Sequence, residues 1–440
     1  MLLGTQRITE QGRLEIGGCD AVELAREFGT PLYVMDEAHV RHCCREYRRT
    51  FESRYPNTLT YYAGKAFLCP AMCRIADQEG LGLDVASGGE LHTALKADFP
   101  ADRILVHGNN KAEWEIEMAL EARAGRIVAD SMYELEILNT LAGRRGQVVD
   151  ILLRVTPGVK AKTHTLIQTG QIDTKFGLAI ETGQALVGCR RALELPNLNL
   201  RGIHCHIGSQ VLGLKFFEIA TKMMTDFMAE LRDELRYEIE ELNIGGGLGV
   251  RYLATDDSPT FDEYAETIIV ALRQALDWHN LRPPRLMDEP GRSIVGEAGT
   301  TLYTVGVVKE IPGVRKYVAV DGGIYENPRP ALYQAEYEAI VANKANQPPA
   351  ERYTIAGKHC ETDVLYSDLE LPHLEAGDII AVQTTGAYHY SMASNYNRLC
   401  RPAVVLVNDG SADIIVRREE LEDLVSHDVI PERLAARAPA

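Results

Sequence analysis

The sequence predicts a (β/α)8 TIM-like barrel followed by an antiparallel β domain, on three observations. Short β-rich runs alternate with segments of helical periodicity from residue 59 onward, eight times in succession. The chain has 440 residues, more than the ~250 a barrel uses, which leaves room for one smaller domain. The residues with chemical potential fall just past the C-terminal ends of the strand candidates, the rim on which barrel enzymes gather their βα loops.

Taken in order, the barrel strand candidates are Thr58–Gly64, Leu81–Ala86, Arg103–His107, Arg126–Asp130, Asp150–Thr156, Leu200–Ile207, Glu241–Gly245 and Arg285–Asp288. Between them, apolar residues at helical spacing mark Cys69–Gln78, Gly89–Lys96, Ala112–Ala122, Met132–Ala142, Glu181–Leu193, Leu214–Leu235 and Phe261–Trp278. Lys65 follows the first strand, Asp84 lies late in the second, and His107 and Asn109 follow the third. Arg154 lies late in the fifth, His206 ends the sixth, Gly245 to Gly247 end the seventh, and Glu289 follows the eighth.

After Arg292 the pattern changes to strands broken by turns, at Thr301–Glu310, Lys316–Val320, Arg352–Ile355, Asp378–Gln383 and Pro402–Asn408. The expected organisation is an N-terminal segment, 1–31, packed on the β domain; the barrel, 32–290; the β domain, 291–425; and a flexible tail, 426–440.

A net charge of -17 is spread along the chain, which argues against nucleic acid or an anionic membrane as partner and for small molecules and other subunits. Nine cysteines are scattered without paired metal spacings, as expected of thiols in a reducing cytoplasm. The first residues show no export signal and no apolar run reaches membrane-spanning length, so a soluble cytoplasmic protein is expected.

Lys65 stands among aromatic and small residues, Tyr61-Tyr62-Ala63-Gly64-Lys65-Ala66. Desolvation there is expected to lower the amine's pKa and favour attack on a carbonyl, although most lysines at strand ends are solvated rim residues. Gly245-Gly246-Gly247-Leu248-Gly249 follows the seventh strand, where backbone N–H groups freed of side chains can converge on a phosphate; tight turns use such runs too. Glu289-Pro290-Gly291-Arg292 sets a carboxylate and a guanidinium beside that anion site. A carboxylate facing a pyridine nitrogen keeps the ring protonated as an electron sink; the plainer alternative is an ion pair closing the barrel. His204 and His206 alternate on one strand and are expected to point the same way. No third His or carboxylate is evident beside them, so no metal site is expected; an imidazole stacked on a cofactor ring is preferred, with Ser209 near the phosphate. Cys360, Glu361 and Tyr388 fall in the second domain, and their residue types alone assign them no role.

The stretches PLYVMDEAHV, YYAGKAF, LGLDVASGGEL, HGNNK, DTKFGL, HCHIGSQ, NIGGGLG, EPGRSIVGEAG, VDGGIYENPRPALY, HCETD and GAYHYSMASNYN, in that order, resemble the barrel-type pyridoxal phosphate decarboxylases and, among them, the diaminopimelate decarboxylases. The resemblance runs from about residue 20 to 415. It implies pyridoxal 5'-phosphate as cofactor, bound covalently through Lys65, with Glu289 at the pyridine nitrogen, Asp84 among the cofactor-binding residues and His206 stacked on the ring. Ser209, Gly246, Gly247 and Pro290-Gly291-Arg292 would hold the phosphate, and Tyr388 would touch cofactor and substrate. For the amino-acid substrate it implies Arg292, Arg329, Tyr333 and Glu361, with Cys360 as proton donor from the second subunit of a homodimer. The implied reaction converts meso-2,6-diaminopimelate to L-lysine and CO2, the last step of lysine biosynthesis.

The family usually reads Cys-Glu-Ser, one further residue, then Asp; here Cys360-Glu361-Thr362-Asp363 is one residue shorter. A sibling decarboxylase for ornithine, arginine, carboxynorspermidine or a carrier-bound amino acid is the alternative, and a non-catalytic carrier or racemase-like relative is a rival of another class. The long loop from Val159 to Thr174 on the catalytic rim is the candidate lid.

Overall fold

The computed structural model describes residues 2–159 and 173–435. The barrel strands are β1 (Thr58–Ala63), β2 (Gly82–Val85), β3 (Ile104–Val106), β4 (Arg126–Ala129), β5 (Val149–Thr156), β6 (Leu198–His204), β7 (Glu241–Asn243) and β8 (Arg285–Asp288). Each pairs in parallel with the next, and β8 returns to β1 with Met287 opposite Leu59, which closes the cylinder. Leu178–Ala179 pairs with the C-terminal end of β5. The proposed lid loop falls, apart from its ends, outside the described residues.

Tyr61, Leu105, Val128, Leu152 and Met287 from five strands fill the barrel interior, each burial contributing on the order of 1.5–3 kcal/mol. At the N-terminal floor, Arg126 of β4 grips Glu241 of β7 through two hydrogen bonds of 2.9 and 2.8 Å. A cavity of about 520 Å3 lined by Arg123, Arg126, Gln147 and Asp150 also opens at this end, away from the C-terminal rim.

The helices start where the sequence supplies caps. Ser87 and Ser131 each accept from the backbone N–H three residues on, both at 3.2 Å, and open Gly88–Lys96 and Met132–Arg144. Thr260 and Glu263 form a reciprocal capping box for Phe261–His279. The helix Glu37–Arg54, absent from the sequence reading, lays Tyr47 and Phe51 against Tyr264.

The compact unit built on the barrel takes in Met35–Thr300, the first residues through Gln6, and Gln383–Ser391. Arg292 and Tyr388, which the sequence boundaries assign to the second domain, therefore belong to the barrel's unit. The other unit contains Arg7–Val34, Thr301–Val382 and the chain from Met392. Its main sheet runs β12 (Val364–Leu371), β11 (Glu351–Ala356), β10 (Arg315–Val320), β9 (Gly299–Ile311), then Leu32–Asp36, Ala403–Asn408 and Ser411–Val416. Leu32–Asp36, expected at the start of the barrel, is thus a strand of this sheet. The sheet is mixed rather than wholly antiparallel, because β10 and β11 run parallel with Tyr317 opposite Thr354. The long segment between Val320 and Glu351 supplies the crossover such a pair needs. Leu14, Ile16, Leu24, Leu32, Val34, Leu302, Ala381 and Val405 are among its core.

Candidate active site

The C-terminal ends of the barrel strands bring most of the expected residues onto one rim. Lys65 follows β1 in the short turn Gly64–Ala66 and keeps solvent access, as a side chain lining an open hollow does. Burial pulls the ammonium's pKa down, but the electrostatic influence of Tyr388, Asp84 and Glu289 outweighs this, and the net shift is upward. The sequence expectation of a lowered pKa is therefore corrected: the Asp84 and Glu289 carboxyls and the Tyr388 hydroxyl lie near this amine, and sequence neighbours could not reveal them.

Glu289, past β8, is buried and surrounded by donors. His107 Nε2 lies 2.9 Å from its Oε1, Asn243 Nδ2 donates to the same oxygen at 2.8 Å, and His204 Nε2 lies 3.3 Å from Oε2. Burial opposes its charge, yet His107 and His204 hold the carboxyl well below its usual range. Asp84 of β2 is buried 3.8 Å from His107, and burial pushes its carboxyl upward. His204 is driven down to about 4 by burial, so its imidazole is neutral.

This arrangement corrects the premise that nothing stands near His204 to complete a ligand set, since ligand atoms of His107, His204 and Glu289 lie within 4.8 Å of one another. Folding brings together strand ends that are distant in sequence. The set reads better as a carboxylate clamp than as a metal centre. His204 Nδ1 is buried with no hydrogen-bond partner among the described residues, whereas metal-bound histidines usually anchor that second nitrogen.

His206 lies beyond the end of β6 rather than on it, and its Nδ1 accepts from Gly246 N–H at 3.3 Å. Burial, with Lys65 and Arg154 nearby, lowers its pKa well below the usual value, leaving a neutral ring whose Nε2 carries the proton. The glycine run cannot carry side chains. A Cβ on Gly246 would stand 2.0 Å from the Glu289 carbonyl oxygen, and one on Gly247, at φ +113°, 2.1 Å from that of Gly208. Pro290 accepts from Ala63 N–H at 2.9 Å, and Gly291 leaves space that a Cβ would close to 3.0 Å from Ala63 Cβ.

Arg292 is buried and donates to Ser209 Oγ at 3.0 Å and to the Tyr252 hydroxyl, while its Nε has no partner among the described residues. Its guanidinium lies 4.7 Å from the Tyr388 ring centre, close enough for a cation–π contact. Tyr388 has φ +61° and donates its N–H to the Ala66 carbonyl at 2.8 Å, and Ser391 Oγ donates to the same oxygen at 3.0 Å. These bonds tie Tyr388 to the Lys65 turn.

The remaining expected residues lie in the other unit. Arg329 opens the helix Arg329–Tyr333, is buried, donates from Nε to the Tyr337 hydroxyl at 2.8 Å and lies 5.3 Å from the Tyr333 ring centre. Cys360 and Glu361 are exposed at the tip between β11 and β12. Sequence reasoning missed His107 and Asn243 as partners of Glu289 and Tyr252 as partner of Arg292; the one local signal was Asn243 beside the glycine run.

A rim amine, a glycine run at a strand end and a buried carboxylate are the groups that a barrel-type pyridoxal phosphate enzyme requires. The donor set fits that group: the glycines leave open backbone where side chains would clash, and the buried Nε of Arg292 awaits an acceptor. The family model for the pyridoxal-dependent decarboxylase, pyridoxal binding domain, matches residues 38–296. The chain is 48% identical to the diaminopimelate decarboxylase of Bacillus subtilis over 97% of its own length and 98% of the relative's. The corresponding figures for the Synechocystis enzyme of the same name are 43%, 98% and 93%. The crystal structure of the M. jannaschii diaminopimelate decarboxylase in complex with L-lysine superposes with a TM-score of 0.92 at 39% identity, covering 99% of this chain and 100% of that one. The chain belongs to the pyridoxal-dependent decarboxylases, in their diaminopimelate decarboxylase group.

Proposed function

We propose that the protein decarboxylates meso-2,6-diaminopimelate to L-lysine and CO2 with pyridoxal 5'-phosphate as cofactor, the last step of lysine biosynthesis. The observation that carries this reading is similarity along nearly the whole chain to proteins of that name, joined to the Lys65, glycine and Glu289 rim. When bound, the cofactor supplies a protonated pyridine ring that accepts the electron pair freed as the carboxylate leaves.

The chain's own groups divide the rest of the work. Lys65 would hold the cofactor through its amine. Glu289, held ionised by His107 and His204, would accept a hydrogen bond from the cofactor's ring nitrogen. Neutral His206 would pack on the cofactor's ring without adding positive charge, and Asp84 contributes to the surroundings that raise the Lys65 pKa. Gly246, Gly247 and Gly291 would line the phosphate's place with open backbone, with Ser209 held by Arg292.

Cys360 donates a proton to the carbon that has lost its carboxylate, from the second subunit of a cytoplasmic homodimer. Glu361 suits the substrate's distal ammonium and Arg329 its distal carboxylate, and Tyr333, Arg292 and Tyr388 are the other residues assigned to the substrate. A guanidinium built for a carboxylate rejects a substrate ending in a bare amine, because it would be left unpaired. The chain organisation in this reading is a barrel that carries the cofactor and a β domain that carries substrate and proton-donor residues. A comparison of amino acids as substrates tests the reading: meso-diaminopimelate should turn over fastest, and faster turnover of ornithine or arginine would contradict it.

A further inference from the structure

The Cys360 loop is braced on several sides. Gly357 N–H donates to the Asp363 carbonyl at 2.8 Å and closes the loop's neck. The Asp363 carboxylate accepts from Ile324 N–H at 2.8 Å and His359 N–H at 3.0 Å. The His359 ring is fixed at both nitrogens: Nε2 accepts from Tyr325 N–H at 3.3 Å, so Nδ1 carries the proton and donates to Asn397 Oδ1 at 2.6 Å. Tyr396 stacks on that ring, with centroids 4.9 Å apart and planes inclined by 25°, and its hydroxyl donates to Glu361 Oε1. One stacked pair therefore touches both sides of the tip: His359 is the covalent neighbour of Cys360, and Tyr396 holds the Glu361 carboxylate.

We propose that the His359–Tyr396 ring pair is the positioning device of the Cys360 loop, His359 aiming the Cys360 thiol and Tyr396 aiming the Glu361 carboxylate. The inference rests on the reading that Cys360 supplies the proton and Glu361 meets the substrate's distal ammonium. In the step concerned, the bond to CO2 breaks and its electron pair stays behind. The thiol proton of Cys360 passes to that carbon, and the resulting thiolate is reprotonated from water. Neither ring touches the reacting atoms; each sets the direction from which a tip residue approaches.

The test is turnover of meso-diaminopimelate in D2O by the cofactor-loaded wild type and by His359→Ala, Tyr396→Phe and Cys360→Ala. It records kcat, KM, cofactor retention and the configuration of deuterium at the newly formed CH2 of lysine. A loosened thiol lets solvent deliver deuterium to either face. His359→Ala should therefore give a mixture of configurations and a kcat at least tenfold lower, with cofactor retention unchanged. Tyr396→Phe keeps the stack and loses the bond to Glu361, so KM should rise about fivefold or more while a single configuration persists.

If His359→Ala does not fold, His359→Phe, which keeps the stack and loses both hydrogen bonds, is read in the same way. A single configuration with kcat within twofold of wild type in the His359 variant overturns the positioning role. If Cys360→Ala is equally undisturbed, the proton-donor reading falls with it; if Cys360→Ala is impaired, the positioning inference alone falls.

Discussion

His107 Nε2 stands 2.9 Å from Glu289 Oε1 across 182 residues of sequence, joining the ends of β3 and β8. The contact lets a fully buried carboxylate stay ionised. A hydrogen bond to a charged group contributes about 1.5–3 kcal/mol. His107→Ala should lower the denaturation midpoint of the cofactor-free protein and weaken pyridoxal phosphate binding at least tenfold. Equal midpoints and equal affinity would remove His107 from the clamp.

Lys65→Ala takes away the amine of the rim. The variant should fold, hold pyridoxal phosphate reversibly, and lose the label that borohydride fixes to the wild-type chain. Peptide mapping is the check, and a fixed label at another lysine would refute the assignment.

Gly246→Ala places a methyl group 2.0 Å from the Glu289 carbonyl oxygen, and backbone must move to admit it. Overpacking of this kind costs roughly 1–3 kcal/mol. Calorimetry should show a lower Tm, and titration with pyridoxal phosphate a Kd raised tenfold or more. Gly89→Ala is the control, since its Cβ would meet nothing closer than Ser87 Oγ at 3.7 Å and it lies in a helix. Comparable losses in both variants would contradict the cradle.

Two buried carboxyls predict how stability changes with pH. Burial raises Glu326 to about 8 despite hydrogen bonds from Tyr303, Gly323 and Tyr33. Burial likewise raises Asp288 to about 8, its Oδ1 accepting from Thr60 at 2.7 Å and its Oδ2 left without a partner among the described residues. In the unfolded chain both release their protons near pH ~4. Between there and pH 8 the folded state binds more protons, so stability contributed by these groups falls as pH rises, by at most about 1.4 kcal/mol per pH unit for each. Glu326→Gln removes one of the two, and urea melts at pH 5 and pH 8 should show a smaller difference than in wild type. An unchanged difference would mean that Glu326 is ionised when folded.

The barrel was legible because alternation of β-rich and helical segments is a local signal repeated many times. β8 and the helix Leu214–Leu235 lie where periodicity sets them. β6 stops at His204 rather than Ile207, since the chain leaves the ladder and turns at Gly208, φ +145°. In the mixed sheet, β12 was missed because Ser367, Asp368 and Glu370 interrupt its apolar pattern. The return of Gln383–Ser391 to the barrel's unit depends on tertiary bonds to Ala66 that no local pattern announces. The site residues were legible singly, as rim positions and motifs. Their coupling was not, and so the upward shift of Lys65 and the partners of Glu289 required the fold.

The most direct test of the central claim is release of CO2 from meso-diaminopimelate by the purified, pyridoxal phosphate-loaded protein, with the amino-acid product identified. CO2 and L-lysine in equal amounts are the expected result. A protein that retains its cofactor, releases no CO2 from meso-diaminopimelate and decarboxylates another amino acid instead would contradict the assignment.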